Sequence, residues 1–216
     1  MSGAALGLRG AQILAAWFSP GYPVGAYSYS HGLEWAVEAG IVRSGSDLAA
    51  WVANVLEHGA GRSDAVLLAA VWRGEDPGPV AELAAALAPS AERHLETMAQ
   101  GTAFARVTAA AWGIDVPDAA YPVAVGVAAR RLGLSLPATT TLYLQGFAAN
   151  LVSAGVRLVP LGQTEGQRIL AGLIPLAAAV AEAALAVPAD AVGGLAFAAD
   201  LAAMRHETQY TRLYRS

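Results

Sequence analysis

The chain has 216 residues, of which 56% are hydrophobic and 14% are charged, and its formal net charge is −4. This composition excludes a disordered chain, which requires low hydrophobicity and high charge, and it argues against a general nucleic-acid binder, which requires a basic face. All 13 basic residues are arginine and there is no cysteine. A lysine-dependent phosphate loop, a Schiff-base enzyme, a thiol nucleophile and a disulfide framework are therefore excluded.

Alanine contributes 51 residues, and it is the best helix former and a poor strand former. Glycine and proline separate the predicted helices, which cover residues 11–17, 30–39, 47–58, 63–72, 80–88, 91–112, 122–132, 137–158 and 164–186, with a last helix that starts near residue 197. Ser46, Ser63 and Ser90 are the predicted N-caps of three of these helices. Pro122 and Pro137 are each expected in the first turn of a helix.

One helix has an especially clear amphipathic pattern. Leu48, Trp51, Val52, Val55 and Leu56 follow the i, i+3, i+4, i+7, i+8 spacing of a helix with one buried face. No segment alternates polar and apolar residues as a half-buried strand does, and the loops are short. The sequence therefore predicts an all-α, single-domain antiparallel bundle of roughly eight to ten helices, with residues 1–203 as the bundle and residues 204–216 as a C-terminal partner-binding tail.

The sequence does not predict secretion or membrane insertion. The N-terminus lacks a basic region followed by an apolar run and a small-residue cleavage site, so the cytoplasm is the expected compartment. Leu132–Val156 is uncharged and long enough to span a bilayer, but it contains a proline, three threonines, a glutamine and an asparagine. Ile169–Ala181 is too short. Both stretches are expected to be buried core helices.

No self-contained catalytic or metal site is predicted. His31, His58, His94 and His206 are not spaced as a local metal pair, and each is expected at a surface or an interface. No serine-hydrolase elbow is present, and Glu34 and Glu38 are expected on a solvated helix face. We therefore expect a protein that is not an enzyme, with no catalytic residue, no metal ligand and no cofactor.

Two segments have the composition of contact surfaces. The first surrounds a Gly/Pro turn and supplies Tyr22, Tyr27, Ser28, Tyr29, Ser30, His31 and Glu34. It is either an adaptable partner-binding surface or an ordered connection whose tyrosines cover the core.

The second segment is the C-terminal tail, which is more polar than the rest of the chain. Its candidate partner-binding residues are Met204, Arg205, His206, Glu207, Tyr210, Arg212, Leu213, Tyr214 and Arg215. Arginine, tyrosine and methionine are enriched in binding hot spots, so we expect a segment that orders on docking to a partner. The alternatives are a last helix lying on the bundle or a frayed terminus. If the tail is helical, His206, Tyr210, Leu213 and Tyr214 share one side.

Residues 19–34, 157–168 and 204–216 together resemble the UreF family of urease accessory proteins. The three motifs occur in the family's order, and the likeness spans nearly the whole chain. The second motif contains Pro160, Gly162, Thr164, Gln167 and Arg168. A helix break at Pro160-Leu161-Gly162 and a Thr164–Gln167 capping box explain much of this motif without a partner.

The resemblance implies a non-catalytic, all-helical maturation factor that forms dimers. It would bind the accessory protein UreD (also called UreH), recruit the GTPase UreG and dock on apo-urease, promoting nickel insertion and lysine carbamylation. The tail would face UreD, and the region from Tyr27 to Glu34 would contribute to the UreG-facing or complex-forming surface. Three alternatives remain open: a small helical protein that itself carries nickel, an enzyme of unknown type, and membrane association through Leu132–Val156.

Overall fold

The computed structural model describes residues 7–215, which form ten α-helices and two short 3₁₀ turns and contain no strand. The all-α prediction is confirmed. The helices are α1 (Leu8–Trp17), α2 (Leu33–Glu38), α3 (Gly45–His58), α4 (Ala60–Arg73), α5 (Pro77–Ala86), α6 (Ala91–Trp112), α7 (Tyr121–Arg131), α8 (Leu136–Leu158), α9 (Gln163–Ala184) and α10 (Phe197–His206). The 3₁₀ turns are Ala26–Ser28 and Ala189–Ala191.

Several predicted helix starts are confirmed. The Ser90 hydroxyl accepts a hydrogen bond from the Arg93 amide at 3.2 Å and caps α6. Pro122 and Pro137 lie in the first turns of α7 and α8, where a proline costs no intrahelical hydrogen bond.

Three predicted caps are wrong. Ser44 caps α3 instead of Ser46, because Ser44 has the extended backbone from which its hydroxyl accepts the Asp47 amide at 3.2 Å. Helix α4 begins at Ala60, not after Ser63, because Gly59 turns the chain directly from α3 into α4. The Thr164–Gln167 capping box is absent from α9. The Gly162 carbonyl already accepts the amides of residues 165 and 166, so Thr164 lies inside the helix.

The core surrounds α4, which packs against α3, α7, α8 and α9. At one end of the core, Trp17 meets Phe104 and Trp112 edge-to-face, with ring centroids 5.1 and 5.9 Å apart. Tyr22 and Tyr121 each pack on Phe104, at 5.7 and 5.6 Å. This aromatic cluster fixes the segment after α1 against α6 and so positions the N-terminal motif.

Helix α9 is the exception to the expectation of buried core helices. It is 22 residues long, because residues 163–168 extend the apolar stretch that starts at Ile169. Among the described residues it is the one helix long and apolar enough to cross a membrane, with a mean hydropathy of 1.3 over 18 residues. Only 28% of that window is buried inside the protein.

Candidate functional site

The C-terminal tail folds back over the start of α2 and α6. Helix α10 ends at His206, so the tail is not a continuous helix, and the predicted shared side of His206, Tyr210, Leu213 and Tyr214 is wrong. His206 and Tyr214 are buried, whereas Tyr210 and Leu213 are exposed. The Arg215 amide then donates to the Ser28 carbonyl at 2.9 Å, which brings the tail to the N-terminal motif.

The Glu34 carboxylate binds the tail directly. One oxygen accepts the Leu213 amide at 2.7 Å, and the other accepts the Tyr214 amide at 2.9 Å and lies 3.1 Å from His206 Nε2. Glu34 is 6% exposed, so the prediction that it lies on a solvated face is wrong. A buried carboxylate is favourable here because its lone pairs are occupied by donors from the tail.

His206 connects Glu34 to Glu92, the second residue of α6. Its Nδ1 lies 2.7 Å from Glu92 Oε2, and the side chain is fully buried. Each ring nitrogen of His206 therefore lies within hydrogen-bond distance of a different glutamate. We call Glu34, Glu92 and His206 the tail anchor. Glu92 also bonds Arg212, which ties the far part of the tail to the same group.

Glu207, another tail residue, caps the N-terminus of α6. The Glu207 carboxylate accepts the amides of Ala91 and Glu92 at 2.7 and 3.4 Å. These amides have no intrahelical partner, and negative charge is favourable at a helix N-terminus. The tail therefore supplies part of the cap of a core helix.

The remaining surface of this region is apolar and exposed. Phe197, Leu201 and Met204 share the outward face of α10 at i, i+4 and i+7, followed by Tyr210 and Leu213 in the tail. Arg205 is exposed beside them. Anchored backbone with exposed large side chains is the arrangement expected of a protein-interaction surface.

The N-terminal motif is mostly internal. Tyr22, Tyr29, Ser30 and His31 are buried, Ser28 is half-buried, and Tyr27 is exposed. The Tyr22 hydroxyl lies 2.7 Å from the Thr108 hydroxyl.

The third motif lies where α8 meets α9. Its residues Pro160, Gly162, Thr164, Gln167 and Arg168 are all exposed. Arg157, at the start of the same motif, places its guanidinium 5.1 Å from the ring centroid of Tyr214. The structure thus brings one residue of this motif to the tail.

A second polar cluster lies beneath the N-terminal motif. His31 Nε2 is 2.9 Å from Glu96 Oε1 and 2.7 Å from Arg93, and Arg93 also bonds Glu96. Burial and the neighbouring Arg93 lower the pKa of His31. Burial alone would raise the pKa of Glu96, but Arg93 and His31 hold it at about 2. The cluster lines a cavity of about 450 Å³.

Asp64 lines the same cavity, and the Tyr143 hydroxyl donates to it at 2.6 Å. Burial raises the pKa of Asp64 to about 6 and that of Tyr143 well above its usual value. In residues 7–215, no three His, Cys, Asp or Glu side chains are grouped so that they could hold a metal ion.

Sequence reasoning missed the contribution of α6 to both clusters. Arg93, Glu96 and Gln100 are buried and follow the same helical spacing as Phe104 and Thr108. Polar residues at core positions of a helix were the available signal. The expectation of surface or interface positions for all histidines is wrong for His31 and His206, which are buried and lie within hydrogen-bond distance of glutamates from α2 and α6.

Comparison with known proteins supports one family. The UreF family model matches residues 42–174. The urease accessory protein UreF of a Cereibacter sphaeroides strain is 54% identical over 203 residues, which covers 94% of this chain and 97% of the relative. The corresponding proteins of Ruegeria pomeroyi and a Rhodopseudomonas palustris strain are 48% and 50% identical over 94% of this chain, and 95% and 92% of their own lengths are covered.

Proposed function

Because the chain belongs to the UreF family of urease accessory proteins, we propose that it is a non-catalytic scaffold in the maturation of urease. With UreD it recruits the GTPase UreG to apo-urease, and it regulates GTP-dependent nickel insertion and lysine carbamylation. It acts in the cytoplasm as a homodimer. The nucleotide chemistry belongs to UreG, which accords with a chain that contains no lysine.

The observation that carries this proposal is the anchored tail. Three separate stretches of sequence meet there, and the buried tail anchor fixes the backbone of residues 213 and 214. The apolar side chains that remain exposed on α10 and the tail then form the surface for UreD. A preorganised surface binds with a smaller loss of conformational freedom than a free tail does.

The arrangement also favours a scaffold over a carrier of nickel. Both ring nitrogens of His206 lie within hydrogen-bond distance of glutamates, so neither nitrogen is free to bind a metal ion while the tail is docked. The Glu34 carboxylate of the tail anchor is occupied by the amides of Leu213 and Tyr214. We therefore assign nickel to the partners and to urease itself.

The test is a co-expression pull-down with UreD and UreG from the same organism. Leu213→Asp changes a side chain that is 80% exposed and keeps the backbone bond to Glu34, so we expect it to fold normally and to lose UreD. Leu8→Asp is the matched control, because Leu8 is 78% exposed on α1. Equal retention of UreD by both variants would contradict the assignment of the tail surface.

A further inference from the structure

The cavity beside the N-terminal motif has a volume of about 450 Å³ and is not used by the proposed function. Ser19, Gly21 and Ser153 are exposed at its mouth, and the buried Arg93 and Glu96 lie on its inner wall. Small-molecule sites have volumes of about 300–1,000 Å³ and combine apolar walls with a few placed polar groups. The cavity therefore has the size and the lining of a ligand site.

The cavity wall carries one more negative than positive charge at neutral pH. Among the described residues that line it, Asp64 and Glu96 are acidic and Arg93 is basic. Burial and Arg93 lower the pKa of His31, so that ring is neutral. Arg93 contacts Glu96, whereas Asp64 forms no ion pair with any residue from 7 to 215. With a pKa of about 6, Asp64 is ionised at neutral pH and lacks a cationic partner.

Two amide side chains on the wall add further hydrogen-bond acceptors. Gln100 donates from Nε2 to Glu96 at 2.9 Å, and Asn150 donates from Nδ2 to the Ala26 carbonyl at 2.8 Å. A carboxylate and a carbonyl only accept hydrogen bonds, so these contacts fix which end of each amide is the nitrogen. Neither amide oxygen accepts a hydrogen bond from the described residues. Together with Asp64, the wall offers acceptors to a ligand that carries donors.

His31 lies on this wall in a backbone conformation that side chains rarely adopt. Its φ is 54°, and among the described residues it is the one non-glycine with a positive φ. The residue is 7% exposed, and its Nδ1 has no hydrogen-bond partner in residues 7–215. Nε1 of Trp17, which also lines the cavity, is likewise unpaired within the described chain. An unusual backbone conformation beside unpaired buried nitrogens is typical of a binding site.

Aromatic rings form much of the apolar part of the wall. Phe18 and Tyr121 each pack against Tyr143, with ring centroids 6.0 and 5.4 Å apart, and Phe147 packs edge-to-face on His31 at 4.8 Å. All of these side chains line the cavity. Aromatic faces attract cations, and apolar rings accommodate an alkyl chain.

From the charge, the acceptors and the rings we infer that this cavity binds an organic cation, an ammonium or guanidinium group on a short alkyl stem, with Asp64 as its carboxylate partner. The amide oxygens of Gln100 and Asn150 accept hydrogen bonds from the same cation. An anion fits poorly because carboxylates outnumber the arginine. The inference does not rest on the proposed function. Its chemistry occurs both in a free small amine and in a lysine or arginine side chain of another protein.

Isothermal titration calorimetry of the full-length chain with n-butylammonium chloride at neutral pH tests the site. We expect saturable binding of one cation with a dissociation constant of about 1 mM or tighter. The uncharged 1-butanol has the same number of non-hydrogen atoms. It should bind at least about tenfold more weakly, because it lacks the charge-assisted bond to Asp64.

Two variants test the position of the cation. Asp64→Asn keeps the size of the side chain and removes its charge, so n-butylammonium should bind at least about tenfold more weakly. Asp190→Asn is the matched control, because Asp190 is exposed and lies outside the cavity wall, and its affinity should equal that of the native chain. Ser153→Trp changes an exposed residue at the mouth, keeps Asp64 and should also weaken binding by obstructing entry.

A competition experiment separates the two sources of the cation. The pull-down with UreD and UreG is repeated in about 10 mM n-butylammonium, well above the expected dissociation constant. Loss of a partner from the native chain would show that a side chain of that partner supplies the cation. Unchanged retention of both partners would assign the cavity to a free small amine.

Three calorimetric results would overturn the inference: no saturable binding of n-butylammonium, equal affinity for 1-butanol, or equal affinity in Asp64→Asn. The titrations contain neither UreD nor UreG. If n-butylammonium binds as expected but neither partner co-purifies with the chain, the proposed function fails and the cation site stands. If both partners co-purify but the titrations show no binding, only the cation site fails.

Discussion

Replacing Glu34 by glutamine should release the tail while leaving the bundle folded. The two Glu34 oxygens accept the amides of Leu213 and Tyr214 and contact His206. A glutamine amide keeps only one acceptor oxygen, so at least one backbone bond is lost whichever way the amide is turned. A hydrogen bond to a charged group contributes about 1.5–3 kcal/mol, which corresponds to at least about a tenfold change in the docking equilibrium of the tail.

Amide hydrogen exchange of Leu213 and Tyr214 measures this equilibrium directly. We expect both amides to exchange at least about tenfold faster in Glu34→Gln than in the native chain, while the amides of α4 keep their protection. Glu38→Gln is the matched control, because Glu38 lies one turn further along α2, is exposed, and bonds the Gln209 side chain and no tail backbone amide from residue 207 to 215. Equal exchange in the native chain and in Glu34→Gln would refute the role of Glu34 in holding the tail.

The other predictions concern buried charges and close backbone contacts. His206→Ala removes the ring that bonds both Glu34 and Glu92, so urea unfolding should show a loss of about 3 kcal/mol in the free energy of unfolding; a loss below about 1 kcal/mol would contradict this role of His206. Folding raises the pKa of Asp64 from 3.8 to about 6, so the folded chain keeps this proton at pH values where the unfolded chain has lost it. The free energy of unfolding therefore falls as the pH rises from about 4 to about 6. For a carboxyl that opens to a cavity we expect this fall to be about 2 kcal/mol between pH 4 and pH 6.5, measured by urea unfolding. Asp64→Asn should remove the fall, and an unchanged pH dependence in this variant would contradict the role of Asp64. Gly32→Ala places a Cβ 2.4 Å from the Ala203 nitrogen at a positive φ and should cost about 2 kcal/mol or more in thermal unfolding, whereas the α9 residue Gly172, which has open space, should tolerate alanine without loss.

The helices could be predicted because their signals are local. Alanine content, proline in first turns and the Ser90 cap depend on neighbouring residues only, and each agrees with the structure. The wrong caps at Ser46 and Ser63 have a common cause. A serine caps a helix only if its own backbone lies outside the helix. The helical backbone begins directly after Ser44 in α3 and directly after Gly59 in α4, so Ser46 and Ser63 lie inside their helices.

The tail anchor could not be predicted from spacing. Glu34 and His206 are separated by 172 residues, and Glu92 comes from a third helix. Each residue taken alone fits an exposed position, because a lone glutamate or histidine is usually solvated. These three residues meet because α2, α6 and α10 pack together over long sequence distances. The close approach of Gly32 to the backbone of α10 is one of the contacts that allow this packing.

The exposure of one face of α9 could not be predicted either, because the composition of this helix is that of a buried one. Its alanines and leucines fit a core helix, and burial depends on how many neighbours cover it rather than on its own composition. One face packs on α3, α4 and α8, and the opposite face has no neighbour within the described chain. An exposed apolar helix face and a buried one share this composition, so the difference becomes visible only in the fold.

The central claim is that this chain joins UreD to UreG, and affinity purification of tagged UreD tests it most directly. UreD and UreG would be co-expressed with the intact chain, with its Leu213→Asp variant or with neither. We predict that UreG is retained on UreD only when the intact chain is present. Equal retention of UreG in the absence of the chain, or its absence from the purified complex when the intact chain is bound to UreD, would contradict the scaffold role.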